Sequence, residues 1–182
     1  MSEEKVKKTM QQKREENRLE FFNSIEKCLT GDVKQTVLDF VEYCEANEMP
    51  LLKDGNFRFK SKGVATIRFR YKGGRIGQSQ VYREENSCYI DITFFVGNPE
   101  YENFAINENL SETVWKNVKY CESCLSTCSP GRDMTLLGKT LNNVCGYKTN
   151  TFLRFINPNA ESLHCIKKLL EFRKERISAG IE

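Results

Sequence analysis

The sequence predicts an α+β domain, an antiparallel sheet of about five strands with helices packed on one face, plus a four-cysteine zinc knuckle. Three observations carry that expectation. Apolar residues recur at three- and four-residue spacing toward both ends of the chain, as amphipathic helices require. In the middle, apolar and basic residues alternate one by one, which sends them to opposite faces of strands. Four cysteines then cluster in a stretch with few large apolar residues. A chain of 182 residues, 39% hydrophobic and 29% charged, is long enough for one real core and short for two.

Residues 1–20 are rich in Glu, Lys, Arg and Gln, with only Val6, Met10 and Leu19 to bury, so a solvated charged N-terminal helix is expected there. Residues 21–182 are expected to form a single α+β domain, the helix firming near Phe21, Phe22 and Ile25. Asp32 can cap a second helix whose buried stripe is Val33, Val37, Phe40, Val41 and Cys44, and which stops before Pro50. The period then changes to two. Residues 57–60 (Phe-Arg-Phe-Lys) and 67–72 (Ile-Arg-Phe-Arg-Tyr-Lys) read as the first two strands, joined through Ser61-Lys62-Gly63. Lys72-Gly73-Gly74-Arg75 reads as the next turn, since glycine tolerates positive φ. Val81-Tyr82 and residues 88–96 supply a third and fourth strand, which makes a meander.

Asn98-Pro99 is a cap followed by proline at the first helical position, and Ser111 caps a further helix carrying Leu110, Val114, Trp115 and Val118 on one side. Residues 151–156 read as the last strand. Asn157-Pro158 repeats the cap-and-proline signal before a long helix with Leu163, Ile166, Leu169, Leu170 and Phe172 on its apolar side. Arg173, Lys174 and Arg176 sit near its end, where cations suit the helix dipole.

No stretch approaches the roughly 18 to 20 apolar residues of a membrane helix, and residues 1–20 lack the apolar segment of a signal peptide. The expectation is a cytoplasmic protein without a membrane partner. In that reducing compartment, clustered cysteines bind metal more often than they pair as disulfides.

Cys121, Cys124, Cys128 and Cys145 follow the spacing C-x2-C-x3-C-x16-C within a Cys-rich segment spanning 121–145. Two cysteines separated by two residues can turn both thiolates onto one ion, and a tetrahedral site needs two more. Cys128 and Cys145 meet that need, and Gly146 allows a tight backbone after the last ligand. Four thiolates leave no open coordination position, so the zinc expected here is structural. An iron–sulfur cluster or metal-free thiols are the alternatives, and His164 is the only histidine that could replace a cysteine. Cys28, Cys44, Cys88 and Cys165 stand among apolar neighbours and read as small core residues.

Residues 56–83 hold eight basic residues and no acidic one, so the rest of the chain is net acidic although the whole carries +3. By strand alternation Arg58 and Lys60 share one face, and Arg68, Arg70 and Lys72 share one face of the next strand. Such a surface could attract phosphates. The competing explanation is a solvent-facing strand whose cations guard against edge pairing.

Other motifs fail on context. Gly138-Lys139-Thr140 is no phosphate loop, because Asp133 stands where that loop needs glycine. His164 and Cys165 are adjacent on a helix and point about 100° apart, so they make no nucleophile pair. Trp115 reads as core. No catalytic constellation emerges.

Leu137-Gly138-Lys139, Asn143-Val144-Cys145, and Asn157-Pro158-Asn159-Ala160-Glu161 through Lys167-Lys168-Leu169 resemble a group of small bacterial proteins. These share a cysteine cluster, a G-K-x-x-x-N-V-C stretch and a closing N-P-x-A-E helix. The resemblance covers residues 115–175 and implies that the cysteine site is a unit. The strand-rich middle is similar to α+β domains of the YjbR/YdhG type, some of which are proposed to bind DNA. The expected function is therefore a non-enzymatic, zinc-stabilised binding module, regulatory in character, that contacts nucleic acid or another polyanion. A thiol redox protein using Cys121 and Cys124, or a small-ligand-binding domain, are the alternatives.

Overall fold

The computed structural model describes residues 9–53, 64–82, 86–95, 97–119, 132–144 and 152–181. Two helices come first, α1 (Met10–Cys28) and α2 (Gly31–Ala46). α1 runs unbroken across residue 20, and Thr9 and Gln12 begin it with a reciprocal capping box that satisfies two orphan amides. Arg18 on α1 pairs with Glu45 on α2, and Lys34 with Glu26, which ties the two helices along their exposed side. Thr30 stands at the N-cap of α2, and Asp32 lies in the first turn, where its charge suits the dipole without capping.

The strands are β1 (Leu51–Lys53), β2 (Val64–Tyr71), β3 (Gly74–Tyr82) and β4 (Ser87–Thr93). Helices α3 (Pro99–Asn107) and α4 (Ser111–Asn117) follow, then β5 (Val118–Lys119), β6 (Arg132–Leu136), β7 (Lys139–Val144), β8 (Phe152–Ile156) and α5 (Ala160–Ser178). One six-stranded sheet has the order β1-β2-β3-β4-β8-β5, and β6 with β7 forms a separate hairpin. Every pairing is antiparallel. β2, β3, β4 and β8 are its body, because β1 and β5 are edges of three and two residues. The class and the one-sided helices agree with the expected architecture. The expected strand at residues 57–60 lies outside the described residues, as do the four cysteines of the expected zinc knuckle.

Alternation in the strands decides where the core sits. Ile67, Phe69 and Tyr71 of β2, Cys88, Ile90 and Ile92 of β4, and Leu153 and Phe155 of β8 are all buried. They meet Phe21 and Ile25 of α1, Phe40 of α2, and Ile166, Leu169 and Leu170 of α5 in one cluster. Phe40 packs edge-on against Phe69 at 4.9 Å, and Tyr101 of α3 does so against Phe94 and Phe172. Only this face of the sheet offers the apolar partners that those helices need.

Two turns depart from the expected boundaries for local reasons. Lys72 and Gly73 take φ of 45° and 86°, the double positive φ of a two-residue hairpin turn, so β2 ends at Tyr71. Asn157 does not cap α5. Its backbone takes φ 45°, and its side-chain oxygen accepts from the Cys88 amide at 2.8 Å, while Asn159 two residues later caps the helix. Leu110, not Ser111, is the N-cap of α4, and Val118 has already left that helix for β5. Arg176 stands in the last turn of α5 as expected, and both Arg173 and Arg176 are buried against α3. Arg173 donates to the Tyr101 hydroxyl at 3.2 Å, and Arg176 pairs with Glu100.

A close approach in the sheet supplies the first test. A Cβ built on Gly77 would stand 2.5 Å from the Asp91 carbonyl oxygen on the neighbouring strand. Gly77→Ala must push β3 and β4 apart and should cost about 1–3 kcal/mol in urea denaturation. A variant as stable as the parent would mean that the strands are not registered Gly77 to Ile92.

Candidate functional site

The face of the sheet opposite the helices is polar, and register arranges it in rows. Gln78 pairs with Arg68 on one side and Asp91 on the other, and Asp91 in turn pairs with Arg154, a row running across four strands. The next row is Thr66, Gln80, Tyr89 and Ile156. Beside it Tyr82 pairs with Ser87. Period-two alternation alone sends these side chains away from the core.

Asp91 is the one acidic residue among the described residues of that face, and it is only 3% exposed. Arg154 grips it with two charge-assisted bonds, Nε to Oδ1 at 2.7 Å and Nη2 to Oδ2 at 2.8 Å. Gln78 donates to Oδ2 at 2.8 Å. The bond to Asp91 and its charge raise the Arg154 pKa further above its usual value. The carboxylate is thus neutralised within the row. The Arg154 guanidinium also lies 5.1 Å from the centre of the Tyr89 ring, whose other neighbour is Tyr82 at 4.8 Å and 58°. The Tyr82 hydroxyl donates to Gln80 Oε1 at 3.0 Å.

Of the expected basic residues, Arg68 and Arg70 fall on this face, and Arg70 is exposed. The backbone register of Arg70 sets it opposite Arg75, so two cationic residues take partner positions across β2 and β3. Lys72 does not share the face. It stands in the turn, and its Nζ donates to Ser178 of α5 at 3.2 Å on the helix side, beside the Tyr71 ring. Arg58 and Lys60 lie outside the described residues. Arg154, Tyr82, Tyr89, Gln78 and Gln80 also lie on this face, and long-range pairing of β8 with β4 brings Arg154 there.

Cys121, Cys124, Cys128 and Cys145 also lie outside the described residues. Among the described residues, no group of three or more His, Cys, Asp or Glu could hold a metal. What is described is the frame around the cysteines. Lys119 pairs with Phe152, and Arg132 pairs with Val144. The links 120–131 and 145–151 therefore join the same two anchor points, the β5–β8 edge and the open end of the β6–β7 hairpin. Cys145 directly follows Val144, and Cys128 precedes Arg132 by four residues, a reach of at most about 14 Å. A common tetrahedral site is compatible with that frame.

The β6–β7 hairpin is not among the expected elements, since its strands carry few large apolar residues. Leu137 and Gly138 turn it with φ of 50° and 75°. Buried Leu136 and Leu141 seat it on the core, and Leu137 N donates to Glu102 of α3 at 2.8 Å. Lys139 engages Glu112 at 3.1 Å and lies over a half-buried Trp115, a hairpin role and not that of a phosphate-loop lysine. His164 is exposed on α5 next to buried Cys165. Among the described residues, no helix is long and apolar enough to cross a membrane.

Burial pushes the thiols of Cys88 and Cys165 up to about 12, and that of Cys44 higher still. At pH 8 roughly one molecule in ten thousand would carry the thiolate at either of the first two. Titration of native protein with an aromatic disulfide should leave these three unreacted until denaturant is added. Rapid native modification of Cys44 or Cys88, read by peptide mass, would contradict their place in the core. Comparison of the chain with protein-family models, with curated proteins and with solved structures gives no match.

Proposed function

We propose that this protein is a non-enzymatic binding module that holds nucleic acid or another polyanion on the helix-free face of its sheet. One observation carries the reading. Among the described residues, Arg70 is exposed on that face, in the same strand as Arg68, and the one carboxylate of the face is already bound by Arg154 and Gln78. A cationic surface whose one described carboxylate is satisfied internally attracts phosphates by simple charge complementarity. Arg58 and Lys60 add to the positive charge of the same sequence region. Lys72 contributes at the turn and not on the face.

The four cysteines serve this module as a structural zinc site. Ligation by four thiolates is closed, so the ion would fold its segment and perform no catalysis. The shared anchor points of the two cysteine-bearing links support this, as does the resemblance of residues 115–175 to small proteins with a cysteine cluster. A redox role for Cys121 and Cys124 is less well supported. Such a site expects its C-x-x-C between a strand and a helix, and the next described element after β5 is the strand β6.

Affinity for a labelled oligonucleotide, measured over a salt series, tests the binding reading. Binding should weaken steadily with salt, and Arg70→Ala should flatten the logarithmic slope by about 0.7 if Arg70 meets a phosphate of a single strand. Failure to bind any nucleic acid at low salt would end the proposal. Elemental analysis of protein purified without added metal addresses the other half. About one zinc per chain is expected, whereas folded protein with far less would remove the zinc site and leave the face untouched.

A further inference from the structure

The end of α5 carries a cationic cluster that the helix-free face does not use. Tyr71 closes β2 and Lys72 stands in the turn after it, while Lys174 and Ser178, four residues apart, share one side of the last turn of α5. Burial of the Tyr71 ring brings these segments together. The Tyr71 and Ser178 hydroxyls are 3.2 Å apart, and Lys72 Nζ donates to Ser178 Oγ at 3.2 Å. Both ammonium groups lie against the Tyr71 ring, Lys174 Nζ 5.0 Å and Lys72 Nζ 5.4 Å from its centre. Lys174 Nζ also donates to the Asn47 carbonyl at the end of α2, at 2.8 Å.

Charge sets this cluster apart. Lys34, Lys139 and Lys168 each meet a carboxylate, that of Glu26, Glu112 and Glu108 in turn. Among the described residues, the oxygens bonded to Lys72 and Lys174 are neutral. An ammonium has three hydrogens, so each lysine keeps two after those bonds. One hydroxyl hydrogen is used between Tyr71 and Ser178, and the other is left to donate. Lys72 and Ser178 are exposed, so a solute reaches these donors from water. The Tyr71 phenol is pulled below its usual pKa, chiefly by the bond with Ser178 and, against the opposing effect of burial, by the charges of Lys72 and Lys174.

We infer that Lys72, Lys174 and the paired Tyr71 and Ser178 hydroxyls bind a phosphate dianion. Two cations match its two charges, and ammonium and hydroxyl donors arriving from separate segments suit a tetrahedral oxyanion. A planar carboxylate is better matched by the planar fork of an arginine. Flexible lysine stems let both ammonium groups close on one ion, which also relieves their mutual repulsion. The cluster lies on the helix side of the sheet, so it stands whether or not the opposite face holds a polyanion.

Inorganic phosphate is the probe, titrated into nitrogen-15-labelled protein at constant ionic strength with chloride as the balancing anion. The amide signals of Gly73, Lys174 and Ser178 should shift together and saturate in the millimolar range, as about two charge-assisted hydrogen bonds would give. Lys72→Asn, which suits the positive φ there, and Lys174→Gln should each weaken binding about tenfold or more. Lys168→Gln, on the same helix but paired with Glu108, should leave it unchanged. If a variant fails to fold, the parent titration still tests the site. Shifts that rise linearly with phosphate, or that spread over all exposed lysines, would overturn it. So would a response unchanged in both folded lysine variants, the result expected of lysines that serve only the helix ends.

Discussion

One-sided burial of the sheet is the constraint from which the rest follows. In β2, β4 and β8 every second side chain is apolar, and these are the residues that α1, α2 and α5 cover. The intervening positions hold Arg68, Tyr89, Asp91 and Arg154, whose polar groups cannot be placed under a helix without partners. A shift of register by a single residue would exchange the two sets. Gly77, pressed against the Asp91 carbonyl, and Asn157, bonded to the Cys88 backbone in both directions, hold the register against such a slip.

The polar face has an internal logic of its own. An aspartate that is almost fully covered must be paired, and the pairing comes from β8, more than sixty residues further along the chain. Arg154 therefore links the last strand to the meander through its side chain as well as through its backbone ladder. The same guanidinium lies 5.1 Å from the centre of the Tyr89 ring. The proposed binding surface thus contains an ion pair that also joins β4 to β8.

Much of this was legible in the sequence, and the exceptions have physical causes. The alternation of residues 67–71 and the apolar stripe of α5 gave the sheet and the covering helix directly. β3 was visible only at Val81 and Tyr82, because its core-facing positions include Gly77 and Ser79, small residues with no apolar signal. Lys72 continued the basic alternation in sequence, but a positive φ at that residue ends the strand and carries its side chain to the helix side. The cap of α5 moved from Asn157 to Asn159 because Asn157 was taken by a contact that no local pattern reveals. Arg154 and Tyr89 were adjacent only through pairing distant in sequence. The β6–β7 hairpin lies inside the cysteine-spaced segment, where Leu137-Gly138 is the turn signal that marks it.

Both the core and the proposed binding surface depend on which face of the sheet the helices cover. Nuclear Overhauser spectroscopy on selectively labelled protein measures this directly. Contacts from α1, α2 and α5 side chains should reach Phe69, Ile90, Ile92, Leu153 and Phe155, and none should reach Gln80, Tyr89 or Ile156. Helix contacts to Tyr89 or Ile156 would contradict the account, since the surface proposed to receive a ligand would already be occupied by the protein's own core.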